Sequence, residues 1–357
     1  MDNSGSRDFR LDIAKASAIS LVVIWHMRPL YFLQGKKLTI YAEVFRFLLE
    51  QFYFQISLLA VPMFVLVSLY LYFQKLNSQP LAYTLKRCRR IGAVFLFWSV
   101  VQIAFYFAVN FANKGNLLFW NDYPLYQLLM MGGPSLPYIG DMGDSVFYYL
   151  FVLLILVPFA YLFFTLKKFP KLFSSLGAII VAVSLLYFEF TSLNGKTIPH
   201  WRIDNFIVYV PLSYFLLCAR PGKINHYIPL YYMGYFVFSL QDVYLFFAKK
   251  YTLGLYSRVS IVFGAMAVLS SLLQLNGENK ARAVSLLAKF SLGIYALHIY
   301  CLLITIVISR YFKFNIPFYI TAFPLDFGQL ILAICAISLT LVTVYLLSFT
   351  FLKKFIS

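Results

Sequence analysis

Long apolar runs, separated by short polar or basic stretches, dominate the pattern of hydrophobic and polar positions along the chain. A helix needs about 20 predominantly apolar residues to cross a bilayer. By this measure the pattern predicts an all-α, polytopic membrane protein with about ten transmembrane helices. The predicted spans are 13–33, 52–73, 91–110, 145–166, 172–190, 205–219, 228–247, 259–275, 286–308 and 327–351.

Composition agrees with this interpretation. Hydrophobic residues make up 62% of the 357 residues and charged residues only 12%, whereas soluble domains carry about 25% charged residues. No stretch has the composition of a separate soluble domain. We therefore expect one integral-membrane domain over residues 1–357.

The net charge of +17 indicates membrane topology rather than a charged partner. In a soluble protein it would point to nucleic acid, but here the Lys and Arg residues cluster in particular loops. With a cytoplasmic N-terminus and ten spans, most of the cations fall in inner loops, as the positive-inside rule requires. The sequence therefore predicts that both termini are cytoplasmic and that nucleic acid is not a partner. The four Cys residues form no close-spaced metal motif, so no metal is expected.

The longest stretch without a predicted span is 113–144. Its apolar piece, 126–131, is too short to cross a bilayer and is either re-entrant or interfacial. Several aromatic residues can stack on sugars or can equally belong to an interfacial belt; they are Trp120, Tyr123, Tyr126 and Trp201. Several acids near the outer ends of spans can bind sugar hydroxyls or can simply be interfacial; they are Glu189, Asp204, Asp242 and Asp326.

The first predicted span begins with ionisable residues and contains another. Lys15 and His26 are eleven residues apart, about three helical turns, so both face the same way, and Asp12 lies one turn before Lys15. Ionisable groups within membranes usually mark a functional site. The structural alternative is that Asp12 caps the helix, Lys15 reaches the headgroups and His26 is a hydrogen-bonded interior residue.

A dense basic cluster precedes the third predicted span. Arg87, Arg89 and Arg90 lie at the cytoplasmic surface, where Lys15 is also expected. Guanidinium groups so close together can bind phosphates bidentately. The alternative is a topology signal that contacts anionic lipid.

Five motifs, in order and spread over nearly the whole chain, resemble those of acyltransferase family 3. They are Asp12-x-x-Lys15-x10-His26, Pro62-Met63-Phe64-Val65-Leu66-Val67-Ser68, Arg87-x-x-Arg90-Ile91, Val146-Phe147-Tyr148-Tyr149-Leu150 and the stretch Lys289-Phe290-Ser291-Leu292-Gly293-Ile294-Tyr295-Ala296-Leu297-His298. Leu69 replaces the glycine that the family has after this serine. The branch that modifies exopolysaccharides and biofilm adhesins is the most similar in length.

The resemblance implies transfer of an acyl group, acetyl or succinyl, from cytoplasmic acyl-CoA to a glycan hydroxyl across a bacterial inner membrane. His26 is then the base, and the cationic residues that bind acyl-CoA are Lys15, Arg87, Arg89 and Arg90. Supporting roles go to Asp12, which orients Lys15, and to Ser68, Tyr295 and His298, each of which also has a purely structural interpretation.

The same resemblance implies that acyl-CoA is a substrate, with acetyl-CoA as the expected donor. It also implies that no cofactor is permanently bound. The implied partners are the glycan acceptor, the bilayer and proteins of polysaccharide synthesis or export. A different class of function stays open, namely a transporter or flippase for a lipid-linked sugar with His26 as its proton site. Transporters often show paired halves around mid-membrane acids, which this sequence lacks.

Overall fold

The structure is a computed structural model that describes residues 8–30, 39–76, 79–114, 146–219, 221–275, 281–311 and 326–356. These ranges are predominantly helical and contain no β-strand, so the predicted all-α class is confirmed. The predictions for segment 126–131 and for Trp120, Tyr123 and Tyr126 lie outside the described residues.

The helices in the described ranges are numbered here in chain order. They are α1 (Phe9–Met27), α2 (Ile40–Gln51), α3 (Ala60–Gln74), α4 (Pro80–Lys114), α5 (Tyr148–Thr165), α6 (Pro170–Leu193), α7 (Tyr209–Cys218), α8 (Pro221–Phe247), α9 (Val259–Leu273), α10 (Arg282–Lys289), α11 (Ser291–Tyr311), α12 (Phe327–Leu347) and α13 (Lys353–Ile356). A π turn (Phe52–Ile56) and a 3-10 turn (Ser57–Leu59) join α2 to α3. Two further 3-10 turns are Leu166–Lys168 and Ile203–Asn205.

Five helical segments among the described residues are long and apolar enough to cross a membrane. They are Ile40–Gln74, Tyr148–Lys168, Pro170–Leu193, Ser291–Ser309 and Phe327–Leu347. They coincide with the second, fourth, fifth, ninth and tenth predicted spans, so the chain is a polytopic membrane protein. The count of ten helices and the side on which the termini lie remain predictions.

Several helix boundaries differ from the sequence prediction, among them the start of the third span, because α4 begins at Pro80 and so contains the basic cluster. Two further differences concern the helices that carry the histidines. The first span, expected over 13–33, corresponds to a helix that ends at Met27, because Arg28 adopts a left-handed conformation with φ 38° and ψ 63°. The ninth span, expected from residue 286, begins at Ser291, because the short helix α10 ends at Lys289 and Phe290 interrupts the helical run. His26 therefore lies in the last turn of α1.

The chain divides into two compact units, each built from segments distant in sequence. The first unit consists of Met1–Val67, Arg220–Tyr244 and Val259–Ser357, and the second of Ser68–Ala219 and Leu245–Arg258. The prediction of a single integral-membrane domain remains a prediction.

Helix α1 occupies the centre of the first unit. It packs against α9, α10, α11 and the 3-10 turn before α3. Small side chains such as Ala14 and Ala18 are buried in these contacts and let the helices approach closely. A second close approach joins α11 to α13, where a Cβ at Gly293 would lie 2.9 Å from the Cβ of Ile356. The glycine of the Ser-Leu-Gly-Ile-Tyr motif thus serves packing.

Aromatic side chains form much of the interior of the second unit. Between α4 and α5, Trp98 stacks on Phe147 with ring centroids 5.8 Å apart. Where α5, α6 and α7 meet, the Phe173 ring lies 4.5 Å from that of Phe163 and 5.0 Å from that of Tyr214. These contacts account for part of the 20% aromatic content, which exceeds the needs of interfacial belts.

Candidate functional site

Helix α1 carries Asp12, Lys15 and His26 on a regular helical backbone, so the three side chains lie along one face, as their spacing predicts. Their environments differ. Asp12 is 2% exposed, whereas Lys15 and His26 are half-buried. His26, at the end of this face, is therefore only partly covered, although its helix packs against several elements of the first unit.

The start of α1 is fixed by polar contacts. Asp8 is the N-cap, and its carboxylate accepts hydrogen bonds from the backbone N and from Nη2 of Arg10 at 3.0 and 2.9 Å. Arg10 Nη1 donates to the carbonyl of Leu273, at the end of α9. Partial desolvation alone would raise the pKa of Asp8, but the hydrogen bonds and charge of Arg10 outweigh it, so that pKa lies below its ordinary value.

The end of α1 is held from another helix. Gln329 Nε2, near the start of α12, donates to the carbonyl of Met27 at 2.7 Å, and the backbone N of Gln329 donates to the N-cap Asp326 at 3.1 Å. The Arg28 guanidinium lies 5.0 Å above the Trp25 ring. The turn that contains His26 is therefore held to α12 by the hydrogen bond from Gln329. Nothing in the sequence pattern singled out Gln329.

His26 meets a second histidine, His298 of α11. The two ring centroids are 5.0 Å apart, with the planes inclined at 53°. His298 is fully buried, and its Nδ1 lies 2.8 Å from the carbonyl oxygen of Tyr295 and 3.1 Å from that of Ile294. Carbonyl oxygens only accept, so Nδ1 carries the proton and Nε2 of the neutral ring carries a lone pair. Among the described residues, this Nε2 has no hydrogen-bond partner.

Tyr295 contributes to this arrangement in two ways. Its carbonyl orients His298, and its buried ring packs with its edge toward Phe64 at 6.3 Å and lies 6.2 Å from the His298 ring. Five residues singled out from the sequence thus lie in the first unit. Asp12, Lys15 and His26 are on α1, and Tyr295 and His298 are on α11.

The other predicted site residues belong to the second unit. Ser68 Oγ and Tyr149 Oη share a hydrogen bond of 2.9 Å, and the Arg87 guanidinium interacts electrostatically with Tyr149. Arg87 Nε is shielded from solvent and has no hydrogen-bond partner among the described residues. Arg89 and Arg90 are exposed. The basic cluster therefore has one partly enclosed guanidinium, that of Arg87, and two exposed ones. Tyr149 is a neighbour of Arg87 that the sequence pattern did not assign to the site.

The acids proposed for sugar binding have protein partners in the structure. Asp242 is buried and accepts hydrogen bonds from Ser260 and Gln55. Asp204 pairs with Arg202 at 2.6 Å. In the part of the chain that is described, no three His, Cys, Asp or Glu side chains meet in a way that could hold a metal ion.

The described residues thus form an apolar helical fold in which the half-buried imidazole of His26 lies beside the fully buried imidazole of His298. A family profile described as an acyltransferase domain matches residues 8–349, so the chain belongs to acyltransferase family 3. Comparisons with curated proteins and with solved structures give no match. The protein is therefore a membrane enzyme of the acyltransferase class.

Proposed function

We propose that this protein transfers an acyl group, of the acetyl or succinyl type, from cytoplasmic acyl-CoA to a hydroxyl of a cell-surface or lipid-linked glycan. The observation that carries the proposal is the half-buried His26 beside the buried His298 in a chain of the acyltransferase family. An imidazole is suited to remove a proton from a hydroxyl near neutral pH, because its ordinary pKa lies close to that range.

In the proposed reaction, His26 removes the proton from the glycan hydroxyl as its oxygen attacks the thioester carbonyl. The new C–O bond forms, the C–S bond breaks, and the CoA thiolate leaves with the proton that His26 holds. The protein binds no permanent cofactor in this scheme, since acyl-CoA is consumed as a substrate. His26 acts as general acid and base in turn.

The donor needs positive charge, because CoA carries several phosphates. Arg87 is the strongest candidate, since its enclosed Nε lacks a protein partner while neighbouring Arg89 and Arg90 present further guanidinium groups to solvent. Charge-assisted bonds from guanidinium groups to phosphate are short and bidentate. Lys15, with Asp12 orienting it, is the proposed fourth cation. The competing role for the cluster is contact with anionic lipid headgroups.

The remaining parts of the proposal follow the resemblance of the sequence motifs. The acceptor is an exopolysaccharide or a related envelope glycan that undergoes O-acetylation, and the protein works in the inner membrane of a bacterium. Proteins of polysaccharide synthesis or export are then its partners. Ser68, which shares a hydrogen bond with Tyr149, has the proposed role of supporting the acyl donor.

The decisive experiment is binding of radiolabelled acetyl-CoA to the purified protein in detergent. Replacing both Arg87 and Arg90 by Ala should weaken binding at least about 100-fold, because each lost charge-assisted bond is worth about 1.5–3 kcal/mol. The matched control replaces the exposed pair Lys167 and Lys168, which should change affinity less than about two-fold. Equal losses of affinity in both double variants would mean that acetyl-CoA responds only to the general positive charge of the protein, and would contradict the proposed donor site.

A second measurement separates the enzyme from the transporter alternative. Native membranes supplied with radiolabelled acetyl-CoA should incorporate label into the glycan fraction and release free CoA. Movement of a lipid-linked sugar across vesicles without thioester cleavage would instead support the transporter.

A further inference from the structure

His298 has more hydrogen-bonding capacity than its structural surroundings use. Its Nδ1 is bonded to carbonyls one turn back on α11, which fixes the ring against its own helix. A purely structural histidine would need nothing more than this bond. Nε2, however, is buried without a partner among the described residues. A buried polar atom left unpaired is costly and calls for an explanation.

The candidate donor to this Nε2 is the neighbouring imidazole of His26. With ring centroids 5.0 Å apart, two facing ring nitrogens can approach to about 3 Å, the length of a hydrogen bond. The Nε2 lone pair of His298 can accept from a ring N–H of His26 but cannot donate to it. The donor and acceptor roles of the pair are therefore fixed by the carbonyl of Tyr295.

We propose that His298 is a positioning residue whose Nε2 accepts a hydrogen bond from His26 and so fixes the tautomer and orientation in which His26 takes the acceptor's proton. This inference rests on the proposed function and names a second residue for the same site. When His26 has taken the proton, both of its ring nitrogens carry hydrogen. One faces the reacting oxygen or the leaving sulfur, and the other needs an acceptor, which His298 supplies.

The arrangement resembles the logic of a base that is oriented by a third group. In soluble hydrolases that group is often a carboxylate. A neutral imidazole performs the same orienting task without adding a fixed charge to the interior of a membrane protein, where charges are costly. Both histidines lie on helices with contacts to other elements: α1 accepts a hydrogen bond from Gln329 of α12, and α11 packs closely on α13 at Gly293.

The test compares three substitutions of His298 with a control on the same helix. His298→Gln retains an acceptor near the position of Nε2, whereas His298→Asn and His298→Leu lose it. Leu302→Ala, one turn further along α11 and also buried, perturbs packing but leaves both imidazoles intact. Release of CoA from acetyl-CoA in native membranes gives kcat and KM.

We expect the Asn and Leu variants to lower kcat about 10- to 100-fold, as loss of an orienting partner commonly does. KM for acetyl-CoA should change less than about two-fold, and the Gln and Leu302→Ala variants should stay within a few-fold of the parent. Parental kcat in the Asn and Leu variants, or equal losses in all four variants, would overturn the proposal.

Chemical labelling tests the pair without requiring acyl transfer. Diethyl pyrocarbonate reacts with the lone pair of an imidazole nitrogen, and a hydrogen bond from the other N–H raises the reactivity of that nitrogen. Mass spectrometry of His26, with exposed His226 as the reference in the same molecule, gives a ratio of modification rates. His298→Leu should lower this ratio several-fold and His298→Gln should retain it. An unchanged ratio in the Leu variant would refute the pairing, whereas a parent that pairs but turns over no acetyl-CoA would refute only the proposed function.

Discussion

Two buried polar groups of the first unit, Asp242 and His298, differ in how completely the protein satisfies them. The Asp242 carboxylate accepts from Ser260 of α9 and from Gln55 of the π turn before α3. His298 directs one nitrogen to its own helix and leaves the other without a partner in the described structure. The contrast agrees with a packing role for Asp242 and supports the proposed positioning role of His298.

The satisfied group depends on an irregular backbone. A π turn inserts an extra residue into the helical repeat and redirects the side chains that follow it. Gln55 lies in that turn and reaches the α8 carboxylate at 3.5 Å. Such turns are frequent at functional sites. Here, however, the Asp242 carboxylate that Gln55 contacts already accepts hydrogen bonds from two donors. We therefore expect the Asp242 contacts to contribute to the free energy of unfolding, and the histidine pair to contribute to the rate of acyl transfer.

The largest expected effect lies at His26, whose ring centroid is 5.0 Å from that of His298. His26→Gln retains a polar end but cannot take a proton, so acyl transfer should fall by about 10² to 10⁴. Affinity for radiolabelled acetyl-CoA should stay within a few-fold, measured on the purified variant. His226→Gln, the same change at an exposed position of α8, is the control and should transfer at the parental rate. Near-parental transfer by His26→Gln would contradict its role as the base.

A smaller and different effect is expected at the satisfied group. Ser260→Ala removes a donor from the Asp242 carboxylate in a buried site and should lower the free energy of unfolding by about 1–3 kcal/mol. Thermal unfolding in detergent measures this, and transfer per folded molecule should not change. Ser271→Ala is the control on α9. This hydroxyl donates to its own helix and otherwise has only an exposed contact with Tyr232 Oη at 3.2 Å, so its loss should cost about 0.5 kcal/mol or less. A lower kcat in fully folded Ser260→Ala would contradict the distinction between Asp242 as a packing group and His298 as a group that affects the reaction.

The smallest expected effect lies at the partly exposed cap of α1. Asp8→Ala should lower the free energy of unfolding by about 1 kcal/mol, because the N-cap acceptor is lost. Since the folded pKa of Asp8 is lowered, its contribution is complete above the pKa of the unfolded carboxyl and disappears as pH falls through the folded value. Asp8→Asn keeps the cap but not the charge, so its stability should lack this pH dependence. Identical pH profiles for the parent and Asp8→Asn, followed by thermal unfolding, would show that the Arg10 contact contributes nothing.

The sequence pattern predicts the helical class and the long apolar helices well, because uninterrupted apolar runs leave few alternatives in a membrane. It also predicts the common face of Lys15 and His26, since both lie on one regular helix. The apolar run alone misplaces the end of α1, although Pro29 disfavours a helical conformation of Arg28 and so marks that end in the sequence. Leu30 continues the apolar pattern past Met27, and the helix stops through a left-handed Arg28 and a hydrogen bond from Gln329.

Contacts between distant helices account for most of what the pattern leaves out. The Tyr-x-x-His motif indicates that Tyr295 and His298 are one turn apart, but periodicity carries no information on the separation between His298 and His26. Likewise, Asp242 resembles an interfacial acid until Ser260 and Gln55 are placed around it. The aromatic motif at the start of α5 indicates a family resemblance, whereas the bond between Tyr149 and Ser68 appears only in three dimensions.

The bond between Gln329 and Met27 also sets an order of events during biosynthesis. A ribosome adds His26 and His298 to the growing chain before it reaches Gln329, so both histidines enter the membrane while the end of α1 still lacks its anchor. The nascent protein thus contains every proposed reactive group before it can hold them in place. Only when the start of α12 has been synthesised is the His26 turn secured, which delays completion of the site until nearly all of the chain has been made.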